Sequence, residues 1–234
     1  AAEWTVHAAP AFSEVFQAMP GASHWKPVLS LDTEIRFHLT PKVHQFVAGL
    51  LDGQSAGGLT ALADELHEGG HRFLLTRSLD SARDYLRERY ADAKFARYGL
   101  VASSKDKWLP SFGVDNTFQT TKQLRVGPWY NAAPTDSQSC CQLDTVATEF
   151  SSQGLELDCA LLAWGSDLRW AGDDWSIEFS GKNRPPLKDP LTVRKNVYRV
   201  LMTRGRDGTV VYVPDDRRMD QTFDRLRSTG IQEL

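Results

Sequence analysis

The chain has 234 residues, 41% of them hydrophobic and 24% charged, with a net charge of −3. Those fractions are ordinary for a globular domain and exclude a disordered or collagen-like chain, and at this length roughly 70–75% of the unfolded surface can be buried. No apolar run approaches the ~18 residues of a membrane span, and residues 1–30 lack the order of a secretion signal. Three cysteines, two of them adjacent (Cys140 and Cys141), form neither a disulfide framework nor a zinc spacing, so a reducing cytoplasm is the expected location. The chain opens on Ala1 rather than Met, and a trimmed piece of a longer protein is expected.

Residues 1–30 form a lead-in anchored by Trp4, Phe12, Phe16 and Trp25 and punctuated by Pro10, Pro20 and Pro27. Pro41 followed by Val43, Phe46, Val47, Leu50 and Leu51 predicts a helix with proline in its first turn. Gly53 to Gly58 reads as a loop, and Leu59 to Glu68 as a helix stopped by Gly69-Gly70. His71 to Thr76 is a strand, then Ser78 caps a helix from about Asp80 to Tyr90. Tyr98 to Ser103 is a second strand, and 104–143 is loop-rich with no readable period. Thr145 to Phe150 and Cys159 to Trp164 are two further strands, followed by an insertion at 165–193. Val197, Val200 and Leu201 mark a helix face, Thr209 to Val213 a buried strand, and Met219, Phe223 and Leu226 a last amphipathic helix. Short apolar strands alternating with helices predict a mostly parallel sheet covered on both faces, with ligands at its carboxyl end.

The modest net charge hides an asymmetry: residues 156–178 carry six acids against Arg169, whereas 180–206 carry eight bases against Asp189. Such a basic run is either a solvated face or a local anion site. Within it, Thr203-Arg204-Gly205-Arg206 lies where a helix gives way to a core strand. A helix macrodipole accounts for one cation there, not for two flanking a glycine.

Three short motifs suggest chemistry that their context refuses. His67-Glu68-Gly69-Gly70-His71 matches H-E-x-x-H, but two central glycines stop a helix and His71 opens a strand, so the histidines cannot share a helical face around zinc. Gly53-Gln54-Ser55-Ala56-Gly57 matches G-x-S-x-G without the preceding strand that a nucleophile elbow needs. The phosphate-cradling G-x-x-x-x-G-K-[ST] is absent from the sequence.

Three blocks do cohere: LDTEIRF at 31–37, ATEFSSQGLELD at 147–158 and NVYRVLMTRGRDG at 196–208. In this order and spacing they resemble the second RecA-like domain of a superfamily 1 helicase, and more narrowly the Schlafen group 3-like DNA/RNA helicase domain family. YGLVASSK at 98–105 and WGSDLRWAGDDWSIEFSG at 164–181 also resemble that family, with coverage from about residue 28 to the C-terminus.

The resemblance implies a RecA-like three-layer α/β sandwich with a mostly parallel central sheet, a P-loop NTPase-type fold lacking the P-loop itself. It implies a single domain over 1–234, half of a two-domain motor whose ATP and Mg²⁺ are held mainly by a P-loop-bearing partner domain of the same protein. By that resemblance Arg204 is the arginine finger and Arg36 a second γ-phosphate contact. Gln153, Gly154 and Glu156 are on the nucleotide, Gly154 for close main-chain approach and Glu156 for the sugar. Thr148 holds a nucleic-acid phosphate. No resident metal site and no membrane partner are implied. The family commonly has alanine where Gly205 stands, so the preceding helix is expected to fray early, and Phe150 stands where many relatives carry histidine.

Two expectations extend this reading. Arg36, Gln153, Glu156 and Arg204 converge on one exposed face at the carboxyl end of the sheet. In the insertion, Trp170, Trp175 and Phe179 with Lys182, Arg184 and Lys188 supply the stacking surface and charge for single-stranded DNA or RNA; the same composition equally suits a flap fastened by its tryptophans. The alternative to the motor is a non-catalytic RecA-like binding module whose arginines are structural.

Overall fold

Pro41 fixes the first turn of α1 (Pro41–Leu51), whose Val43, Phe46, Val47, Leu50 and Leu51 are all buried. The computed structural model describes residues 41–177 and 189–234, all within one unit, Leu39–Leu234. Helix α2 (Ala56–Glu68) begins inside the stretch predicted as a loop and stops at Gly69-Gly70. β1 (Arg72–Thr76) leads into α3 (Leu79–Arg89), where Ser78 Oγ accepts the Ser81 amide at 3.1 Å, the expected cap. β2 (Tyr98–Ala102), β3 (Val146–Thr148), β4 (Leu157–Ala163), β7 (Gly205–Tyr212) and β8 (Gln232–Glu233) complete the main sheet.

Among the described residues that sheet has six strands in the order β3-β2-β4-β7-β1-β8, every pair parallel. Leu100, Val101, Leu161, Leu162, Val210 and Val211 of its central strands are fully buried. Burial on both faces is why these strands read as continuous apolar runs rather than alternating ones. Helices flank the sheet: α3 lies on β1, β4 and β7, and α6 (Pro190–Met202) lies on β4 and against α1. This is the RecA-like α/β sandwich expected from the sequence. No helix among the described residues is long and apolar enough to cross a membrane.

The 104–143 stretch contains only single turns: 3₁₀ segments at Leu109–Phe112 and Cys140–Gln142, α4 (Phe118–Thr121) and α5 (Val126–Asn131). Side-chain bonds to main chain hold it. Asn116 Nδ2 donates to the carbonyls of Ser103 (2.7 Å) and Asp106 (2.9 Å). Asp106 Oδ1 accepts the Trp108 and Leu109 amides at 2.8 and 2.7 Å, while Oδ2 accepts the Ser166 amide and hydroxyl at 2.6 and 2.8 Å.

In the insertion, β5 (Arg169–Ala171) and β6 (Asp174–Ser176) form an antiparallel hairpin. Trp175 is buried, donates its indole N–H to the Leu50 carbonyl at 2.8 Å and stacks on Trp164. Trp170 packs edge-on against Trp175, with the Arg225 guanidinium 4.4 Å from the centre of the Trp170 ring. Its amide donates to Thr222 Oγ1 of α7 (Asp220–Ser228) at 2.9 Å. These two indoles fasten a flap, so they are not the open stacking surface that was one of the two expectations. Phe179, Lys182, Arg184 and Lys188 lie outside the described residues.

Helix α6 ends at Met202 and β7 starts at Gly205, so Arg206 already belongs to the strand. The β4–β7 register moves from Leu157↔Gly205 to Cys159↔Gly208, a bulge with its extra residue on β7. A Cβ on residue 205 would come within 1.8 Å of the Gly208 carbonyl oxygen. Glycine at position 205 is therefore demanded by the bulge. Gly205→Ala should cost about 1–3 kcal/mol, as overpacking against a fixed neighbour does. A lowered urea midpoint at unchanged m-value would register it.

Candidate functional site

The last turn of any helix leaves carbonyls without partners. At the end of α6, Thr203 Oγ1 donates to the Arg199 carbonyl at 3.0 Å and Arg204 Nε donates to the Val200 carbonyl at 2.8 Å. Arg204 then reaches beyond its own helix: Nη1 donates to the carbonyls of Ser152 and Leu155, each at 3.1 Å. Those two carbonyls bracket Gln153 and Gly154, which are exposed, and Gly154 takes φ +80°, the left-handed turn that glycine makes without strain. The guanidinium thus staples the 152–155 turn to the end of α6.

Glu156 is half-buried at the end of this turn, its carbonyl accepting the Tyr130 hydroxyl at 2.8 Å. The Leu157 amide donates to the Arg204 carbonyl at 2.9 Å, so Glu156 and Arg204 precede paired positions of β4 and β7. Gln153, Gly154, Glu156 and Arg204, distant in sequence, therefore do come together. They gather at the amino ends of β4 and β7, not at the carboxyl end, and Arg204 is only 4% exposed rather than displayed to solvent. The physical reason is the crossover from edge strand β3 to β4, which must travel back past β2 to begin a parallel strand. Arg206, two residues on, is paired with Asp158 and has a partly exposed side chain. Arg36 lies outside the described residues.

Thr148 sits at the opposite end of the sheet, closing β3 level with Ala102 of β2. It is buried, its amide donating to Ser151 Oγ at 2.8 Å and its carbonyl accepting the Ser152 amide at 2.8 Å. Glu149 beside it accepts the Ser104 amide and hydroxyl at 2.9 and 2.7 Å, and Phe150 is exposed.

The carboxyl end also holds a buried polar cluster that sequence reading did not identify. Asp167, following β4, accepts from Ser103 Oγ and Tyr198 OH at 2.6 Å each and pairs with Arg194 Nη1 at 2.7 Å. Tyr198 OH also accepts the Gly165 amide at 3.0 Å. Burial pushes the Asp167 carboxyl above the ordinary range, with Arg194, Ser103 and Tyr198 pulling it back; burial and Asp167 drive the Tyr198 phenol well up. Arg194 and Tyr198 both belong to α6, so this helix is anchored at the carboxyl end of the sheet and delivers Arg204 at the amino end. The one sequence signal was WGSDLRW, which contains Asp167 without revealing a partner.

His71, half of the zinc-like motif, is buried with Nδ1 3.1 Å from the Arg206 carbonyl, while His67 lies in the last turn of α2. Among the described residues no cluster of His, Cys, Asp or Glu has the makings of a metal site. All three cysteines are free and buried.

Searches of curated proteins and of solved structures find no match to the chain. A family model does match, over residues 1–215; it takes in the lead-in at 1–30 and stops before α7. With most of its length matched, the chain belongs to the Schlafen group 3, DNA/RNA helicase domain family.

Proposed function

We propose that the chain is the C-terminal motor half of an ATP-dependent superfamily 1 DNA or RNA helicase or translocase. In this reading a P-loop-bearing RecA-like domain of the same protein holds most of the ATP and Mg²⁺. Gln153, Gly154, Glu156 and Arg204 face that nucleotide, with Arg36 a second phosphate contact, while Thr148 and the Lys182, Arg184 and Lys188 segment contact nucleic acid. The observation that carries it is the Arg204 guanidinium bonded beneath the exposed Gln153–Gly154 turn. On domain closure a phosphate would replace carbonyl partners of Nη1, an exchange favoured because the phosphate brings a full negative charge and oxygens matched to the guanidinium fork, where a carbonyl offers only a dipole.

One observation favours the alternative, a non-catalytic RecA-like binding module: Arg204 is buried and already engaged by main-chain carbonyls. ATP hydrolysis separates the two. The 234-residue chain alone should show no ATPase above background, because the β- and γ-phosphate and Mg²⁺ cradle is missing from its sequence. Joined to its P-loop-bearing half it should hydrolyse ATP faster when single-stranded DNA or RNA is added. Robust turnover by the chain alone, indifferent to Arg204→Ala, would refute the motor-half assignment; no turnover by the joined protein would favour the module.

A further inference from the structure

Trp108 follows the Asp106 cage in the loop after β2 and is 46% exposed, whereas Trp129, Trp164 and Trp175 are buried. The Arg218 guanidinium lies 4.1 Å from the centre of its ring. Arg218 is itself held: Nε and Nη2 donate to Asp216 Oδ1 and Oδ2 at 2.8 and 2.7 Å, and its amide donates to Oδ1 at 2.9 Å. These donors hold the Asp216 carboxyl well below the usual carboxylate range. The main chain of Trp108 is fixed equally well, since its amide and that of Leu109 bond Asp106, which also binds Ser166 after β4.

Trp108 and Arg218 border an open notch of about 220 Å³, solvent included, with Leu109, Phe112, Pro214 and Met219 in its walls. Its residues come from the loops after β2, β4 and β7, so it stands at the carboxyl end of the sheet, as Thr148 does. β3 and β7 are three strand spacings apart, about 14 Å, so the two features share one rim. Exposed Lys105, Lys107 and Arg217 surround Trp108 and Arg218 in sequence and hold no ion pair among the described residues.

We propose that Trp108, backed by Arg218, is a base-stacking shelf for single-stranded nucleic acid, with Lys105, Lys107 and Arg217 on the flanking phosphates. A rigid aromatic face beside uncommitted cations is the combination by which strands are held without sequence preference. The shelf rests on the nucleic-acid reading above and adds a residue set that reading did not contain. Buried Asp106 positions the shelf and does not touch the strand.

The test is fluorescence anisotropy of a labelled oligothymidylate and a labelled oligouridylate of about 16 nucleotides, the upper site size of such grooves, titrated with the chain at several salt concentrations. Trp108→Ala should weaken binding roughly 5- to 150-fold, the worth of one stacked base, while Trp108→Phe retains most of the affinity. Replacing Lys105 and Lys107 by glutamine should lower the salt slope by about 1.4, at ~0.7 per single-strand phosphate contact. Unchanged thermal melting of the Trp108 variants shows that the loss is local. Wild-type affinity in Trp108→Ala would overturn the shelf and leave the nucleic-acid reading standing. Absence of binding by the wild-type chain would overturn both.

Discussion

In the proposed motor, with this chain joined to a P-loop-bearing half, Arg204→Ala should lower ATP turnover by about 10³–10⁵-fold. That is the worth of an arginine finger, about 4–7 kcal/mol of transition-state stabilisation. ATP affinity should change little, because in the proposed motor the other half supplies most of the phosphate contacts. The geometry adds a second consequence that sequence alone did not foretell. Arg204 donates to three carbonyls from within the fold, so the alanine variant also leaves the 152–155 turn unstapled. Lost charge-assisted bonds of this kind should cost about 2–4 kcal/mol of stability. Arg204→Lys separates the two effects: a lysine keeps the charge but cannot serve two brackets of the turn and a phosphate at once. Steady-state hydrolysis measured beside urea unfolding decides the matter. A folded alanine variant with turnover within tenfold of wild type would remove Arg204 from catalysis.

Asp167→Ala should destabilise the chain by about 3–5 kcal/mol, since it leaves the part-buried Arg194 without its counter-charge and Ser103 and Tyr198 without their acceptor. The pH dependence has an unusual sign. Burial raises the folded carboxyl above its unfolded value of about 3.9. The folded state therefore binds this proton more tightly, and the associated stability is full below pH ~3.9 and lost as pH rises through the folded value. Wild type should lose ground to Asp167→Asn as pH increases across that window. Urea unfolding of both proteins at a series of pH values tests this. A wild type that gains on the asparagine variant over the same range would mean that Arg194 outweighs burial.

The fold was readable where one physical rule dominated. Ser78 before an apolar face marked α3, and continuous apolar runs marked β2, β4 and β7 because both their faces are buried. The 104–143 stretch was opaque because its single turns are held by Asp106, Asn116 and Ser139 bonding main chain, an arrangement with no period. The grouping of Arg204 with Gln153, Gly154 and Glu156 came from a resemblance between blocks, not from any pattern within them. Its location was misjudged by applying the carboxyl-end rule, whereas the turn before β4 and the end of α6 meet at the amino ends of β4 and β7. The pairing of Asp167 with Arg194 left no trace, because a pair joined only by tertiary folding has no spacing to detect. The tryptophans of the flap showed the converse limit, since composition reports that rings are present but not whether their faces are taken.

The position of β1 bears on how the chain is made. Its two neighbours in the sheet, β7 and β8, are the last strands to be synthesised. At 5–20 residues per second a ribosome needs on the order of ten seconds between releasing β1 and releasing β7. Throughout that interval Arg72–Thr76 has an apolar RFLLT run and free main chain on both sides, the condition in which a strand pairs with another molecule. Local helices α1 and α2 can form and shelter it, but they cannot supply its hydrogen bonds. A nascent chain stalled before β7 is consequently a substrate for chaperones or for aggregation, however stable the finished domain.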